Sequence, residues 1–446
     1  MPKFSPRDVR FSNWLCFFAW AGAVYDFILF GNLLPVIAAD FGLDESGATG
    51  INTWITAGTA VVAYFLGRIV DRVGRRKGLI IAVAGAAVAS LLTATTGLIF
   101  GLFAGLGLVA LVLIRTVAGL GYAEMAVNAT YLSEVYATTA ATPAQLRRRG
   151  LTYSLVQSGW PVGAAVAAGS VALLLPIGGW ELCFVVAAVP AVFITWAARK
   201  LKESPQFAAR QQIQKLRNAG RAEEAKALAA EFGIEVAAVE RTSVMEVFRG
   251  ESLHPMLTIC PAYLLNGMGA LVFQILATSL LTSESGMNIN FTNALLILLI
   301  SNGMAFLGYL FHGWLGDRIG RRNTIAMGWI MAAVSYGAML MLPQGNFGPV
   351  VALYSVGLFF LIGPFSALMF FTGESFPSTI RATATSIITA SGMVGNILAG
   401  VIVTTLLSSG EAWTRTAFIA GVVPILLGGI LIFFAPHRDP QVARLD

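Results

Sequence analysis

A ten-residue pattern occurs twice in this chain, and no other feature restricts its possible folds as much. Gly67-Arg68-Ile69-Val70-Asp71-Arg72-Val73-Gly74-Arg75-Arg76 returns as Gly313-Trp314-Leu315-Gly316-Asp317-Arg318-Ile319-Gly320-Arg321-Arg322, an offset of 246 positions (313 − 67). Each copy follows one long apolar run and precedes another. The offset is a little over half of the 446 residues, so the chain reads as two related halves.

The setting of the repeat is a membrane. Only 12% of the residues are charged and 57% are hydrophobic, against about 25% charged in soluble chains. Apolar runs of about 20 residues recur throughout, long enough to cross a hydrocarbon core of about 30 Å. Twelve spans are predicted, near 12–39, 50–71, 79–97, 102–137, 149–173, 178–200, 255–282, 291–316, 323–342, 347–372, 380–408 and 413–435. Residues 79–114 carry no charge, so only Thr95-Thr96-Gly97 and Gly101 mark a turn between the third and fourth. An all-α membrane protein with an internal repeat reads as a transporter.

Charge sets the orientation. Of the 29 Lys and Arg, all but Arg115 and Arg415 fall on one set of loops and termini. Asp40, Asp44, Glu45, Glu284 and Glu411 fall on the other. This asymmetry predicts a multi-pass cell-membrane protein with both termini in the cytoplasm. It also removes any need to read the net charge of +6 as nucleic-acid affinity. Cys16, Cys183 and Cys260 lie in apolar segments without motif spacing, so neither a disulfide framework nor a metal site is expected. The one long polar stretch, 201–254, joins the halves. Its helix-forming composition and apolar spacing (Ala209, Ile213, Leu216; Ala225, Leu228) predict two short amphipathic helices along the membrane surface.

In each repeat the glycines permit a tight turn, and one carboxylate, Asp71 or Asp317, sits among arginines. Such a cluster is expected to latch the cytoplasmic side. Arg318, Arg321 and the glycines Gly67, Gly74 and Gly313 belong to it, while Trp314 replaces the arginine after the first glycine of the second copy.

The first copy resembles the cytoplasmic motif of the major facilitator superfamily. Arg115-Thr116-Val117-Ala118-Gly119-Leu120-Gly121 looks like that superfamily's fourth-helix element. Glu134 with Arg147-Arg148-Arg149-Gly150, Glu203-Ser204-Pro205, and Glu374-Ser375-Phe376-Pro377-x-x-x-Arg381 resemble elements of its sugar-porter and metabolite–proton symporter branches. Tyr25-Asp26-Phe27-Ile28-Leu29-Phe30-Gly31 is similar to the first-helix stretch of metabolite–proton symporters, and Gln157 matches a fifth-helix glutamine. The resemblance implies two pseudo-symmetric six-helix bundles, a central cavity and alternating access. The bundles are expected at 1–200 and 255–446, joined by a cytoplasmic linker at 201–254. Two departures weigh against a sugar substrate: Tyr263-Leu264-Leu265-Asn266-Gly267 stands where sugar porters carry paired glutamines, and no tryptophan follows Gly363-Pro364. Gly159-Trp160-Pro161-Val162-Gly163 is a poor match to the drug-antiporter element.

Asp26, Arg115 and Glu124 are the ionisable residues placed deep within spans, where an unpaired charge is expensive. Asp26 and Arg115 both reach the midplane and are expected to pair. Asp26 is expected to carry a proton and Arg115 to sense its charge or meet a substrate carboxylate. Glu124, nine residues beyond Arg115, faces the other way by about 900° of helical rotation and is the next candidate. Glu134 with Arg149 and Glu374 with Arg381 are expected as conformational ion pairs. Tyr25, Asn52, Tyr122, Asn128, Gln157, Trp160, Asn266, Gln274, Asn302, Tyr354 and Asn396 are the candidate cavity groups, each equally suited to helix–helix bonding.

The expected function is secondary transport of a small polar metabolite, first an organic acid, by proton symport. A proton-coupled sugar or polyol transporter, or a uniporter or exporter, is the alternative. No nucleotide loop, nucleophile constellation or metal spacing occurs in the sequence, so neither an enzyme nor a cofactor is expected. The expected partners are substrate, protons and the lipid bilayer, with a single chain as the working unit.

Overall fold

In the computed structural model the described residues are 4–139, 155–231, 244–376 and 380–436. Among the described residues eleven helices are long and apolar enough to span a membrane. One of them, Leu155–Ala198, has 44 residues, about 66 Å of helix, far more than one crossing needs. It breaks at Gly178 and Gly179, where φ and ψ leave the helical region. Divided there, the chain has its twelve spans.

The first six are α1 (Pro6–Asp40), α2 (Glu45–Val73), α3 (Arg75–Leu102), α4 (Gly105–Tyr136), α5 (155–177) and α6 (180–198). Two linker helices follow, α7 (Pro205–Asn218) and α8 (Ala222–Glu231). The next span, α9 (Leu253–Ala270), runs through a π-helical turn at Leu271–Ile275 into Ala277–Thr282. The remaining five are α10 (Phe291–Ile319), α11 (Arg321–Leu340), α12 (Phe347–Ile362 with Phe365–Ser375), α13 (Arg381–Ser408) and α14 (Trp413–Phe433). The break between the third and fourth spans falls at Phe103, which is extended at φ −147°. The threonine pair expected to mark it produces only a local turn within α3.

Helix ends follow local chemistry. Ser5 accepts the Asp8 amide at 3.2 Å while the Asp8 carboxylate accepts the Ser5 amide at 2.7 Å, and Pro6 occupies the first turn. Asp44 opens α2 by accepting Gly47 N–H at 2.8 Å, and Asn290 opens α10 by accepting Asn293 N–H at 2.9 Å. Gly74 ends α2 at φ +101° and Gly320 ends α10 at φ +86°. Both conformations are open only to glycine, which is why the repeat keeps a glycine at this position in both copies.

The halves meet along α2–α13, α5–α10 and α1–α9. One apolar core runs through both halves, from Leu29 and Leu33 of α1 to Phe273 and Leu280 of the α9 span. A second core lies nearer the chain terminus and the repeats, which we call the basic end. It is built from Leu15, Leu66, Val83, Leu132 and their neighbours, all before residue 202. Thr404 Oγ1 donates to Thr49 Oγ1 at 3.1 Å, and Thr278 Oγ1 donates to Asn32 Oδ1 at 3.3 Å. These bonds tie the halves toward the opposite, acidic end. The halves therefore share a core at the acidic end, while the first half keeps a core of its own at the basic end.

The linker departs from expectation. Ile213, Leu216, Ala225, Leu228 and Ala229 pack on one another, so α7 and α8 form a hairpin with its own small core. Their apolar stripes are satisfied by each other rather than by a membrane surface. Periodicity reveals that a helix has an apolar face, but not what covers it.

Candidate functional site

At mid-span Arg115 Nη1 donates to both carboxylate oxygens of Asp26, at 3.3 and 3.4 Å, and Nη2 donates to the Asp26 carbonyl at 3.1 Å. Ser90 Oγ donates to the same carboxylate. The guanidinium lies between the rings of Phe30 and Phe184, at 5.2 and 5.1 Å from their centroids. Both residues are buried. Breaking a buried pair by removing one member costs about 3–5 kcal/mol, because the survivor is left desolvated. Arg115 is turned to Asp26 and the two rings and does not line the cavity described next. Glu124 is fully buried, and neither of its oxygens has a hydrogen-bond partner.

Between the halves lies a cavity of about 830 Å³, counted with its open mouth. Trp20, Phe27, Tyr122 and Trp160 form one wall. Their rings are in mutual contact, with Phe27–Tyr122 at 5.0 Å and Trp20–Trp160 at 5.6 Å. Tyr263 and Phe365, at 5.9 Å, stand on the other half. Trp160 Nε1 donates across the halves to Gln274 Oε1 at 2.7 Å. Three amides of the lining keep one atom without a partner: Asn266 Nδ2, Gln274 Nε2 and Asn396 Oδ1. Among the described residues of the lining none is charged.

Of the cavity groups expected from sequence, Tyr122, Gln157, Trp160, Asn266, Gln274 and Asn396 line this space. Asn302 and Tyr354 line a smaller pocket beyond Gln274, also bordered by Asn32. There Asn302 Nδ2 donates to the Leu298 carbonyl at 2.8 Å, and Tyr354 donates to the Phe273 carbonyl. Tyr25, Asn52 and Asn128 line neither pocket. Asn128 Nδ2 is committed to the Cys16 carbonyl at 2.8 Å, and Asn52 accepts through its backbone from Thr56 at 2.8 Å. Sequence reasoning missed Trp20, Phe27, Tyr263 and Phe365. A search for polar groups passes over aromatic walls; clustering aromatic residues at mid-span would have found them.

At the basic end Arg75 Nη1 lies 2.9 Å from Asp71 and Nη2 lies 3.2 Å from Glu134. Glu203, just after α6, accepts the backbone amides of Arg75 at 2.9 Å and Arg76 at 3.3 Å. It caps the N-terminus of α3, where the helix dipole favours an anion. Asp71 pairs with Arg75, and the cap falls to Glu203. In the second half Arg321 Nη1 lies 2.9 Å from Glu374, and Nη2 lies 3.9 Å from Asp317. Glu374 thus pairs with Arg321 and not with Arg381, which donates to the Phe376 carbonyl at 3.4 Å. Arg149, the expected partner of Glu134, lies outside the described residues. Arg68 covers the Tyr64 ring at 4.8 Å and Arg318 the Trp314 ring at 4.2 Å, each on its own helix. All these contacts stay within one half or join it to the start of the linker at Glu203. In this conformation the repeat braces each half internally.

The sequence model described as "Sugar (and other) transporter" matches residues 18–439. The chain is 27% identical to the "Probable 4-methylmuconolactone transporter" of Cupriavidus pinatubonensis, over 85% of this chain and 79% of that one. It is 27% identical to the cis,cis-muconate transport protein of Acinetobacter baylyi, over 90% of each. Its fold is similar to the inward-open xylose transporter XylE from E. coli, with a TM-score of 0.69, 18% identity, and coverage of 96% of this chain and 97% of that one. A match over nearly the whole length, on twelve spans in two related halves, means that the chain belongs to the sugar (and other) transporter family, with the major facilitator fold.

Proposed function

We propose that this transporter carries a small carboxylate with an unsaturated or aromatic body, as a proton symporter. The aromatic-walled cavity, with no charged side chain among its described lining, carries this reading. Planar π-systems stack on Trp20, Tyr122 and Trp160, and the unpartnered amide groups of Asn266, Gln274 and Asn396 supply hydrogen bonds. An ionised carboxylate would find no cation in such walls. A proton carried with it removes the charge that makes burial costly. The names of the two relatives point to the same substrate class. Of the expected coupling residues Asp26, Arg115 and Glu124, the first two are held to each other as an ion pair between α1 and α4, and Glu124 is the one without a counter-charge among the described residues. Residues 1–200 and 255–446 act as the two moving bundles, with the cavity open to the basic end. The positive-inside bias supports a cytoplasmic position for that end, both termini and the linker of the cell-membrane protein.

Thermal shift of the purified protein with benzoate, gentisate, cis,cis-muconate and xylose tests the substrate class. A ligand at 100 times its Kd stabilises by about 2.7 kcal/mol. The stabilising acid should then accumulate in proteoliposomes driven by a proton gradient alone. Stabilisation by xylose and by none of the acids would turn the reading to a sugar. For orientation, an impermeant thiol reagent applied from outside cells should label a cysteine at Asp44 and not one at Lys226.

A further inference from the structure

Glu124 is buried on α4 between Tyr122 and Met125, which line the cavity, but does not itself line it. Asn128 bonds the Cys16 carbonyl at 2.8 Å, and the Tyr122 ring is 6.4 Å from that of Trp20. Helices α1 and α4 run antiparallel, so one turn back along α4 from Asn128 corresponds to one turn forward along α1 from Cys16. These positions are Glu124 and Trp20. Trp20 lines the cavity with its ring, yet its Nε1 is buried and has no partner. Both Glu124 oxygens are likewise buried without a partner. A lone donor and a lone carboxyl group stand at one level of neighbouring helices, and the indole that carries the donor lines the cavity.

The surroundings supply no counter-charge. Helix α1 presents the Cys16 thiol at this level, and its Asp26 is committed to Arg115 of α4. Glu45 of α2 lies at the acidic end, and the other charges of α2 and α3 sit at the basic end, where Arg75 is held by Asp71 and Glu134. The cations of α7, such as Arg210 and Lys215, are exposed. Among the described residues no ion pair includes Glu124. A charged carboxylate in such a place is expensive, whereas Asp26 is held by an arginine and a hydroxyl. Proton exchange therefore has different consequences at the two sites. At Asp26 it would break a satisfied pair and strand Arg115. At Glu124 it makes or removes a charge that no cation among the described residues meets, with the Asn128 side chain one turn along α4 as its polar neighbour.

We propose that Glu124 is the proton site whose occupancy alternates during transport, with the Trp20 indole as the door between it and the cavity. This rests on the proton-symport reading above. Cavity water gives a proton to a Glu124 oxygen when the indole moves aside, and the carboxyl group returns it to cavity water after the halves have exchanged access. Asp26 and Arg115 stay paired and fix α1 to α4.

The first test needs no transported ligand. Infrared difference spectra of the protein in liposomes, recorded across a pH jump, should show a carboxylic-acid band of an apolar environment. The band should vanish in Glu124→Gln and persist in Asp26→Asn. Persistence in Glu124→Gln would overturn the proposal. The second test uses whichever of benzoate, gentisate or cis,cis-muconate stabilises the wild type most. Glu124→Gln should lose proton-driven accumulation at least tenfold while keeping counterflow, which also certifies its fold. Undiminished accumulation overturns the assignment to Glu124, and loss of counterflow as well makes Glu124 structural and overturns it too. If the wild type itself shows no proton-driven accumulation, the symport reading fails instead, and the infrared band still decides whether Glu124 titrates. Trp20→Phe, which keeps the ring and removes Nε1–H, should change the rate of the infrared response several-fold. An unchanged rate removes the indole's role as door.

Discussion

The helices α2 and α10 are the same element built twice. Each has 29 residues, each starts and stops 246 positions from the other (291 − 45 and 319 − 73), and each ends on a glycine of positive φ. Their surroundings differ. In the first half the chain leaving α6 returns to the turn with Glu203, whose carboxylate caps α3, and Phe207 covers Arg75 at 5.8 Å. In the second half the chain leaving α14 returns with a backbone group: the Ala435 carbonyl accepts Arg322 Nη1 at 3.1 Å, and Phe433 covers that arginine at 5.1 Å. One topology thus gives the first turn a carboxylate cap and a buried ion pair, and the second a backbone-carbonyl contact and a more exposed ion pair. The side chains of Arg75 and Glu134 are 7% and 6% exposed, against 19% and 27% for Arg321 and Glu374. Duplication preserved the backbone turn, and the halves diverged in what holds it.

Removing the two central arginines should separate the braces most. Arg75→Ala takes a cation from two carboxylates, one of them buried, and is expected to cost about 3 kcal/mol. Arg321→Ala acts on a partly exposed pair and should cost about 1 kcal/mol. Midpoints of thermal unfolding in one detergent compare them directly. Equal losses would mean that burial does not distinguish the two turns.

A smaller effect is expected from the cap. Glu203→Gln retains an acceptor for the Arg75 and Arg76 amides but removes the charge at the α3 N-terminus, about 0.5–1 kcal/mol. Hydrogen exchange at the first amides of α3 should speed up, while that at the start of α11 stays as it was. An effect of equal size at both helices would show that Glu203 acts on the whole protein and not on its own half.

The twelve spans and the repeat were legible because hydrophobic run length, loop charge and glycine turns are local properties. The Asp26–Arg115 pairing was legible for a different reason: two opposite charges at the same depth in lipid-facing spans have few other ways to be satisfied. What the chain did not disclose depends on which faces meet. Glu374 had cationic candidates in Arg381, a few residues away, and in the distant Arg321; sequence proximity favoured the wrong one. The linker stripes at Ile213 and Leu228 looked suited to a membrane until each covered the other. Trp20 and Phe27 were passed over because an aromatic residue in an apolar span is ordinary core until a cavity is found beside it.

The smallest expected difference lies at the opposite ends of the same two helices. Asp44 caps α2 and Asn290, at the corresponding position, caps α10 with nearly identical geometry. The Asp44 carboxyl is held below the usual carboxylate range, first by the Gly47 amide and then by the Ser46 hydroxyl. A carboxyl depressed in the folded state stabilises that state above its unfolded value, and the contribution fades as pH falls through the depressed one. Asn290 does not titrate in this range. Acidification below the usual carboxylate range should therefore loosen the first turn of α2 while the first turn of α10 keeps its protection. Because Asp44 is almost fully solvated, the change should be confined to that turn and leave the unfolding midpoint in place. Amide exchange at residues 46–49 and 292–295, measured across an acid series, reads the two caps against each other. Asp44→Asn should abolish the difference by making the two caps chemically the same. If the difference survives that substitution, the cap is not its source, and the loop between α1 and α2 carries the pH dependence instead.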